Sequence, residues 1–348
     1  MERLRDLDEA ELLARIVPRY ARTRGVVRDP APVGPGDDAA VVAAPSGSGV
    51  ATTDTMVRGR DWRDEWSSAH DVGRKAVAQN LADVAAMGAV PTALLVALMA
   101  DPETPVDWCL GLADGIAQAA AEAGAEVVGG DVSSAGAGQV VVAVTALGDL
   151  RGRRPVLRSG ARPGDVVAVC GSLGLSGGGL ALLEAGEGLE EPRWGPDTPA
   201  SRAVTGLVAY HRAPQPPWGA GAVASAAHAH ALVDVSDGLV TDVGRVATAS
   251  GVRVDLFGRV LRERFAAGPL TLALGEEEAM RQVLSGGEEH ALVGCFPPDV
   301  DVTSLPGPAW VVVGQVHEAG GQGALVTVDD EGVDARGWDH FAGRPDRH

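Results

Sequence analysis

Aspartates recur among small residues at five points of the chain, each where a turn or a strand end is predicted. Carboxylates that are half-buried near one another repel and lose hydration, so a protein that collects them needs a cation. Aspartate, threonine hydroxyl and backbone carbonyl oxygens suit Mg²⁺, which in turn suits nucleotide phosphates. The pattern therefore indicates phosphoryl chemistry. The segments are Gly36-Asp37-Asp38-Ala39, Thr52-Thr53-Asp54-Thr55, Asn80-Leu81-Ala82-Asp83, Gly129-Gly130-Asp131 and Asp234-Val235-Ser236-Asp237-Gly238.

Length, net charge and cysteine count favour a two-domain cytoplasmic protein and argue against a nucleic-acid-binding or membrane-surface protein. The 348 residues suffice for two ordinary domains, and 45% of them are hydrophobic, which supplies a substantial core. The formal net charge of −18 argues against nucleic acid or an anionic membrane as a partner, and it disfavours a nucleotide unless cations bridge it. The three cysteines lack CxxC spacing and the N-terminus does not resemble a signal peptide, so we expect a cytoplasmic protein with reduced thiols.

One familiar phosphate-binding motif is excluded and a second is only weakly supported. Lys75 is the only lysine, and Ala76-Val77 follow it, whereas a Walker A loop needs Gly-Lys-Ser/Thr. The glycine-rich segment Gly171–Gly179 lacks the G-x-G-x-x-G spacing of dinucleotide-binding folds. If the protein binds ATP, its phosphates must be neutralised by metal ions, arginine and backbone amides.

Helical spacing predicts the elements that hold several of these residues. We expect a long helix over residues 67–87, capped by Ser67 or Ser68 and ended by Gly88. A first helix over residues 8–17 is expected to stop at Pro18.

Strand patterns place the other acidic segments at strand ends. A short strand at 50–53 is expected to lead into Asp54, and a strand at 126–128 is expected to end in Gly129-Gly130-Asp131. Arginine-rich turn chemistry after residue 150 indicates a domain boundary there.

Each motif also has a simpler interpretation. Gly36-Asp37-Asp38 alone is typical of a surface Asx-turn, Asp83 of an exposed helix position, and Gly129-Gly130-Asp131 of a plain turn. Ser236 or Asp237 as the N-cap of a following helix would explain only one of the two aspartates in Asp234–Gly238. In the metal interpretation, strand alternation directs Asp234 and Ser236 to one side, and the helix N-terminus faces a phosphate.

Taken in order, eight segments closely resemble the thiamine-monophosphate kinase family of the aminoimidazole ribonucleotide synthetase superfamily, from about residue 8 to Phe341. The segments are Gly36–Ala40, Thr53–Val57, Lys75–Ala89, Gly129–Asp131, Arg158–Asp165, Asp234–Leu239, Leu284–Glu289 and Gly337–Phe341.

The resemblance implies a function and an architecture. The function is transfer of the γ-phosphoryl group of ATP to thiamine monophosphate, giving thiamine diphosphate, with ATP as co-substrate and several Mg²⁺ ions. The fold would be α/β of the α+β type in a two-domain subunit. Residues 1–150 would form a mixed sheet with helices that binds metal and ATP and pairs in a homodimer, and residues 151–348 an α/β domain that completes the nucleotide and substrate site.

The resemblance also assigns residues by matching positions. The implied ATP contacts are Gly130, Asp131, Arg158 and Ser236, and the implied substrate contacts are Glu288 and Trp338, whose ring would stack on the cationic heterocycles. The implied metal ligands are Asp38, Thr52, Thr53, Asp54, Asp83, Asp131, Asp234 and Asp237. The acceptor phosphate is already ionised, so no general base is assigned.

Three departures from the family pattern stand out. Asp61-Trp62 replaces a histidine, so Asp61 is a candidate substrate contact in its place; Val132-Ser133-Ser134 replaces Thr-Thr-Arg; and Glu288-Glu289-His290 replaces Glu-Asp-Tyr. These changes leave open a catalytically impaired nucleotide-binding regulator. Another ATP-using enzyme of the superfamily also stays open. A selenophosphate synthetase would have a reactive cysteine in its N-terminal segment, but no cysteine precedes Cys109. The hydrogenase-maturation relative carries a C-terminal cysteine, whereas this sequence ends in Pro345-Asp346-Arg347-His348.

Overall fold

The computed structural model describes residues 2–7, 9–20, 47–188, 197–320 and 325–333. Contacts divide the chain into two compact units. The first comprises Met1–Pro155 with Arg212–Pro214 and Trp218–Ala226, and the second comprises Val156–His211, Gln215–Pro217 and Ala227–His348. The predicted boundary near residue 150 lies in the segment that links the last strand of the first unit to the first strand of the second.

The first unit is a four-stranded sheet with helices on one face. Its helices are α1 (Glu9–Tyr20), α2 (Ala69–Ala86), α3 (Val106–Ala123) and α6 (Ala220–Ala226), and its strands are β1 (Gly49–Val57), β2 (Val90–Ala100), β3 (Glu126–Ser134) and β4 (Val140–Asp149). The strand order is β1-β4-β2-β3, antiparallel except for the parallel pair β2–β3. Alternate residues of β4, such as Val142 and Val144, are buried in the core beneath α2 and α3.

Local sequence sets the ends of α2. Ser68 is the N-cap, and its hydroxyl and the Asp71 carboxylate form a reciprocal capping box. Gly88, with a φ of 74°, follows the last turn. The predicted bounds of this helix are therefore confirmed.

The expected stop at Pro18 is wrong, because α1 continues to Tyr20. Proline removes one hydrogen bond and crowds the preceding turn. Leu12, Ile16 and Tyr20 are nevertheless all buried in the core of the first unit, and that packing retains the last turn.

Two strands are longer than predicted, and this changes the placement of the acidic segments. β1 runs through Thr52–Thr55 to Val57, so Asp54 lies within the strand and not at its end. β3 continues through Gly129-Gly130-Asp131 to Ser134, because its pairing with β2 extends as far as Ala100. A Cβ at position 130 would lie 1.9 Å from the Val96 carbonyl oxygen, so glycine allows the strand to pass there.

The second unit is built on a seven-stranded mixed sheet in the order β11-β10-β7-β9-β5-β8-β6. Its strands are β5 (Val166–Cys170), β6 (Ala231–Asp234), β7 (Val252–Leu256), β8 (Leu292–Phe296), β9 (Trp310–Glu318), β10 (Val326–Val328) and β11 (Glu331–Gly332). Its helices are α4 (Leu175–Glu184), α5 (Pro199–Arg212), α7 (Leu239–Ser250), α8 (Gly258–Leu261), α9 (Pro269–Leu274) and α10 (Glu276–Ser285), with a π-helical turn at Arg262–Ala266. Both units are mixed α/β, and the predicted fold class is confirmed.

The glycine-rich segment after β5 has a packing role. It opens α4, and a Cβ at Gly179 would lie 2.2 Å from the Leu207 carbonyl oxygen of α5. The run therefore lets two helices approach closely. Within the described ranges, no helix is long and apolar enough to cross a membrane.

Candidate functional site

In the first unit, three predicted metal ligands meet where β1 lies against α2. Thr52 and Asp54 are two residues apart on β1 and share the face that α2 covers. The Thr52 hydroxyl donates a 2.8 Å hydrogen bond to Asp83 Oδ2 on α2. We call Thr52, Asp54 and Asp83 the strand–helix corner.

Asn80 positions this corner. Its side chain is buried, its Oδ1 accepts the Asp54 backbone N–H at 3.0 Å, and its Nδ2 donates to the Ala76 carbonyl within α2. Among the described residues, β1 is the edge strand of its sheet, and the Asn80 side chain supplies an acceptor for the Asp54 N–H. The amide thus ties the strand to the helix one turn before Asp83.

Thr53 is not brought into this corner. Strand alternation directs it to the opposite, exposed face of the sheet, where its hydroxyl donates to the Val144 carbonyl and accepts from the Thr145 hydroxyl at 3.1 Å. Two adjacent threonines predicted as ligands therefore lie on different faces.

Asp131 also lies away from the corner. The strand register places it in one row with Ala97, Ala143 and Thr55, so three inter-strand spacings, or about 14 Å, separate it from β1. It is exposed on the same face as Thr53, and its carboxylate accepts the Ser133 hydroxyl at 3.1 Å.

In the second unit, Asp234 ends β6 and is almost fully buried. Its Oδ2 lies 3.3 Å from Nδ1 of the equally buried His290. A buried carboxylate needs a hydrogen-bonding or charged partner, and His290 is one that the sequence pattern did not indicate.

The following turn is organised by two residues that sequence reasoning missed, Asp242 and Arg245. The buried Asp242 carboxylate accepts the backbone N–H groups of Ser236 and Asp237 at 3.0 and 2.9 Å. Arg245 bonds both Asp242 and Asp237, the latter at 2.5 Å. The N-cap of α7 is Gly238, without a side-chain cap, so the simpler interpretation of Ser236 or Asp237 as a cap is wrong.

The electrostatics of this turn favour a bound cation. Burial and, to a smaller extent, the negative charges of Asp234 and Asp237 raise the pKa of Asp242 to about 7, against the lowering effect of the Asp237 N–H and Arg245. Three carboxylates share this turn with one guanidinium, so additional positive charge would relieve their repulsion.

The segment Glu288-Glu289-His290 connects this region to α4. The Glu289 carboxylate is fully buried and accepts the Ser176 N–H at the start of α4 and the Ser172 hydroxyl at 3.0 Å. Burial raises the pKa of Glu289 to about 7, although these donors oppose the shift. The α4 N-terminus, which follows the glycine-rich turn, therefore holds a carboxylate of the chain itself.

Arg158 lines an open groove over α7. The groove measures about 530 Å³ and is lined by Arg158, Arg245, Thr241, Thr248 and smaller apolar residues. The Arg158 backbone carbonyl accepts the Ser250 hydroxyl at 3.2 Å, which fixes the chain at that point. Most of the lining is apolar, and the Arg245 guanidinium pairs with Asp237 and Asp242.

Asp61 has a structural contact at the end of β1. Its Oδ2 accepts the Val57 N–H at 2.6 Å, and its backbone carbonyl accepts the Lys75 ammonium at 3.4 Å. The carboxylate therefore closes the turn after the strand. Asp38 and Trp338 lie outside the described residues.

The donor chemistry of the strand–helix corner fits Mg²⁺, because a hydroxyl and two carboxylates are all hard oxygen ligands. Among the described residues, no three His, Cys, Asp or Glu side chains are grouped closely enough to hold a metal ion. Each unit thus carries part of the predicted ligand set: Thr52, Asp54 and Asp83 in the first, and Asp234 and Asp237 in the second.

The missed residues have weak sequence signals. Asp242 and Arg245 lie three residues apart in the first turns of α7, and Glu289 directly follows a predicted contact. An acidic residue in the first turn of a predicted helix could have been assigned to the preceding turn. His211 and Ser176 have no such signal, since only the close approach of α4 to α5 brings the Ser176 hydroxyl within 3.1 Å of His211 Nδ1.

Comparison with known proteins gives a consistent result. Residues 36–150 match the family model "AIR synthase related protein, N-terminal domain", and residues 162–327 match the corresponding C-terminal domain. The thiamine-monophosphate kinase of Mycobacterium tuberculosis is 44% identical over 334 residues, which is 95% of this chain and 92% of that protein.

Solved structures share the fold over nearly the whole chain. The thiamine-monophosphate kinase of Stenotrophomonas maltophilia is 30% identical with a TM-score of 0.74, covering 94% of this chain and 98% of that one. AaThiL complexed with AMPPCP and TMP is 27% identical with a TM-score of 0.72, covering 98% of this chain and 99% of that one.

Proposed function

The chain belongs to the thiamine-monophosphate kinase family of AIR synthase related proteins, and we propose that it transfers the γ-phosphoryl group of ATP to thiamine monophosphate, forming thiamine diphosphate. The observation that carries this proposal is the identity to a thiamine-monophosphate kinase along almost the entire chain. The complex of a related structure with AMPPCP, an ATP analogue, and TMP supports the same pair of substrates.

Several Mg²⁺ ions assist the reaction in this proposal. They neutralise two anionic reactants and align the attacking and leaving oxygens. Oxygen ligands come from the strand–helix corner and from Asp234 and Asp237, and the matching positions add Asp38, Thr53 and Asp131. The Thr52–Asp83 hydrogen bond and the Asn80 contact to Asp54 support the corner, since they fix its donors before any ion binds.

Nucleotide and thiamine contacts follow from matching positions and their surroundings. Gly130, Asp131, Arg158 and Ser236 bind ATP, and the open groove that Arg158 lines supports the role of Arg158. Glu288, Trp338 and Asp61 are the proposed thiamine contacts, of which Glu288 supplies negative charge to a cationic ring system.

The proposed reaction requires no general base. The acceptor oxygen of thiamine monophosphate is ionised near neutral pH, so the chain has to position it and not deprotonate it. Lys75 is buried and donates to the Asp61 carbonyl, which leaves arginines as the side-chain cations near the phosphates.

We also propose a homodimer in the cytoplasm. The face of the first sheet opposite α2 and α3 exposes Leu95 and Met99 by 37% and 36%, and Thr53 and Thr55 are exposed on the same face. A second copy of this sheet would cover these apolar side chains. The three cysteines are free, buried thiols, as expected in a reducing compartment.

A substrate panel tests the function. The purified protein is incubated with ATP and Mg²⁺ and with thiamine, thiamine monophosphate or an unrelated phosphate monoester, and ADP and thiamine diphosphate are quantified by chromatography. We expect equal amounts of ADP and thiamine diphosphate with thiamine monophosphate alone, loss of both with EDTA, and recovery with excess Mg²⁺.

Two results would refute the proposal. ATP consumption with another acceptor would indicate a different enzyme of the superfamily. Tight ATP binding with no turnover on any acceptor would indicate a nucleotide-binding regulator.

A further inference from the structure

Two consecutive glutamates, Glu288 and Glu289, are both fastened to one residue of α4. The Glu289 carboxylate accepts the Ser176 backbone N–H. The Ser176 hydroxyl lies 3.1 Å from His211 Nδ1, and the same nitrogen lies 3.5 Å from Glu288 Oε2. These contacts lead from Glu288 to His211, from His211 to Ser176, and from Ser176 to Glu289, which is the neighbour of Glu288. We call these four residues the Ser176 ring.

The backbone at this ring is held in an unfavourable conformation. Glu288 and His290 have φ values of 58° and 57°, a region that non-glycine residues rarely adopt. Such strain persists only where the surroundings over-determine it, and it is typical of functional sites. The buried Glu289 between them is the evident anchor.

Burial differs sharply around the ring. Ser176 and Glu289 are fully buried and His211 is 5% exposed, whereas the Glu288 side chain is 35% exposed. Glu288 is therefore the one member of the ring whose carboxylate is open to a ligand. Tyr210 adds support, since its hydroxyl bonds the Ser172 hydroxyl at 2.6 Å and the Glu289 carbonyl at 3.4 Å.

We infer that Glu289 and His211 are positioning residues that hold the Glu288 carboxylate ready for the cationic heterocycles of thiamine monophosphate. This inference rests on the proposed function, in which Glu288 contacts thiamine. Preorganising a charged contact lowers the entropy lost on binding, so the ring contributes to affinity for thiamine monophosphate without touching it.

Glu289→Gln is the first test, because it keeps the shape and replaces one acceptor oxygen with an amide NH2 group that cannot accept an N–H. We expect KM for thiamine monophosphate to rise about tenfold, equivalent to about 1.4 kcal/mol, while KM for ATP stays within about twofold. Titration calorimetry measures the two affinities directly. We expect weaker binding of thiamine monophosphate and unchanged binding of Mg-AMPPCP.

His211 supplies a second, independent pair of variants. His211→Ala removes the nitrogen between Ser176 and Glu288 and should raise the same KM, whereas His211→Asn should recover part of the affinity, because its amide nitrogen replaces Nδ1. If Glu289→Gln does not fold, the KM values of these two His211 variants test the inference in its place.

Asp165 offers a matched control at the other end of β5. Its buried carboxylate also accepts a backbone N–H, from Arg162 at 2.8 Å, and lies 3.0 Å from a histidine nitrogen, that of His230. Asp165→Asn should lower Tm but leave KM for thiamine monophosphate unchanged.

The outcomes separate the two ideas. Equal increases of KM in the Asp165 and Glu289 variants, or no increase in any ring variant of an active enzyme, would overturn the inference alone. A wild-type protein that neither binds nor phosphorylates thiamine monophosphate would overturn the proposed function, and the inference with it.

Discussion

The Thr52 hydroxyl and the Asp83 carboxylate are joined by a 2.8 Å hydrogen bond between strand β1 and helix α2. Thr52 and Asp83 are distant in sequence, yet both are oxygen donors of the type that Mg²⁺ prefers. The bond holds two proposed ligands together before an ion arrives, and it makes the strand–helix corner the most direct place to test metal dependence.

Thr52→Val should lower kcat by about tenfold and raise the Mg²⁺ concentration needed for half-maximal rate, because valine keeps the shape but removes an oxygen. Thr92→Val is the matched control, since the Thr92 hydroxyl bonds a strand carbonyl of the same sheet, that of Leu147, at 3.1 Å. The measurement is a Mg²⁺ titration of initial rate. Equal effects of both variants would point to a general loss of sheet stability.

Asp54→Asn and Asp237→Asn should each lower kcat by about 100-fold or more with little change in Tm, because each removes a charged metal ligand from a partly exposed position. Binding of Mn²⁺, followed by electron paramagnetic resonance in the presence of AMPPCP, should weaken in parallel. Normal turnover in both variants would refute their assignment as metal ligands.

Glu289 makes a pH dependence of stability predictable. Its pKa is raised by burial to about 7 in the folded protein, against an ordinary value of 4.5. Between these values the folded state retains a proton that the unfolded state has lost, so the contribution of Glu289 to stability falls as pH rises from about 4.5 to about 7 and then levels off.

Glu289→Gln cannot ionise and should lack this dependence. The difference in Tm between the wild type and Glu289→Gln should therefore shrink from pH 4.5 to pH 7, as measured by calorimetry at matched ionic strength. A difference that is constant over this range would show that Glu289 stays ionised in the folded protein.

Leu95→Glu and Met99→Glu should each convert the proposed dimer to a monomer, because a charge on the exposed sheet face opposes burial against a second copy. Light scattering after gel filtration should give twice the 35.5 kDa chain mass for the wild type and the single mass for the variants. Leu272→Glu, at an exposed position of the second unit, is the control and should stay dimeric.

Asp61→Ala should lower stability and also weaken a secondary contact to thiamine monophosphate. Loss of the acceptor for the Val57 N–H should lower the free energy of unfolding by about 1 kcal/mol and Tm by about 2–4 °C. KM for thiamine monophosphate should change less than in Glu288→Ala. A larger change in KM than that of Glu288→Ala would instead show that Asp61 is a principal substrate contact.

Local patterns in the sequence were sufficient for several features. Ser68 and Gly88 delimit α2 because capping and left-handed termination involve only neighbouring residues. The family resemblance, spread over the chain in order, was sufficient for the fold class, since it does not depend on any one element boundary.

Strand lengths and faces depended on tertiary pairing. Gly129-Gly130-Asp131 reads as a turn by composition, but pairing with β2 extends β3 through it and directs Asp131 to the exposed face. The face that Thr53 occupies also depended on tertiary pairing, because neighbouring residues of a strand point to opposite faces of the sheet.

The sequence alone determined which residue types are available for phosphoryl chemistry and the order in which they occur, because side-chain chemistry and local capping are properties of short segments. Only the tertiary structure decided which of them meet. Asp242 reaches back to Ser236, and Glu289 bonds Ser176, because helices and strands distant in sequence pack against each other there. Such contacts depend on packing, which no short window of sequence contains.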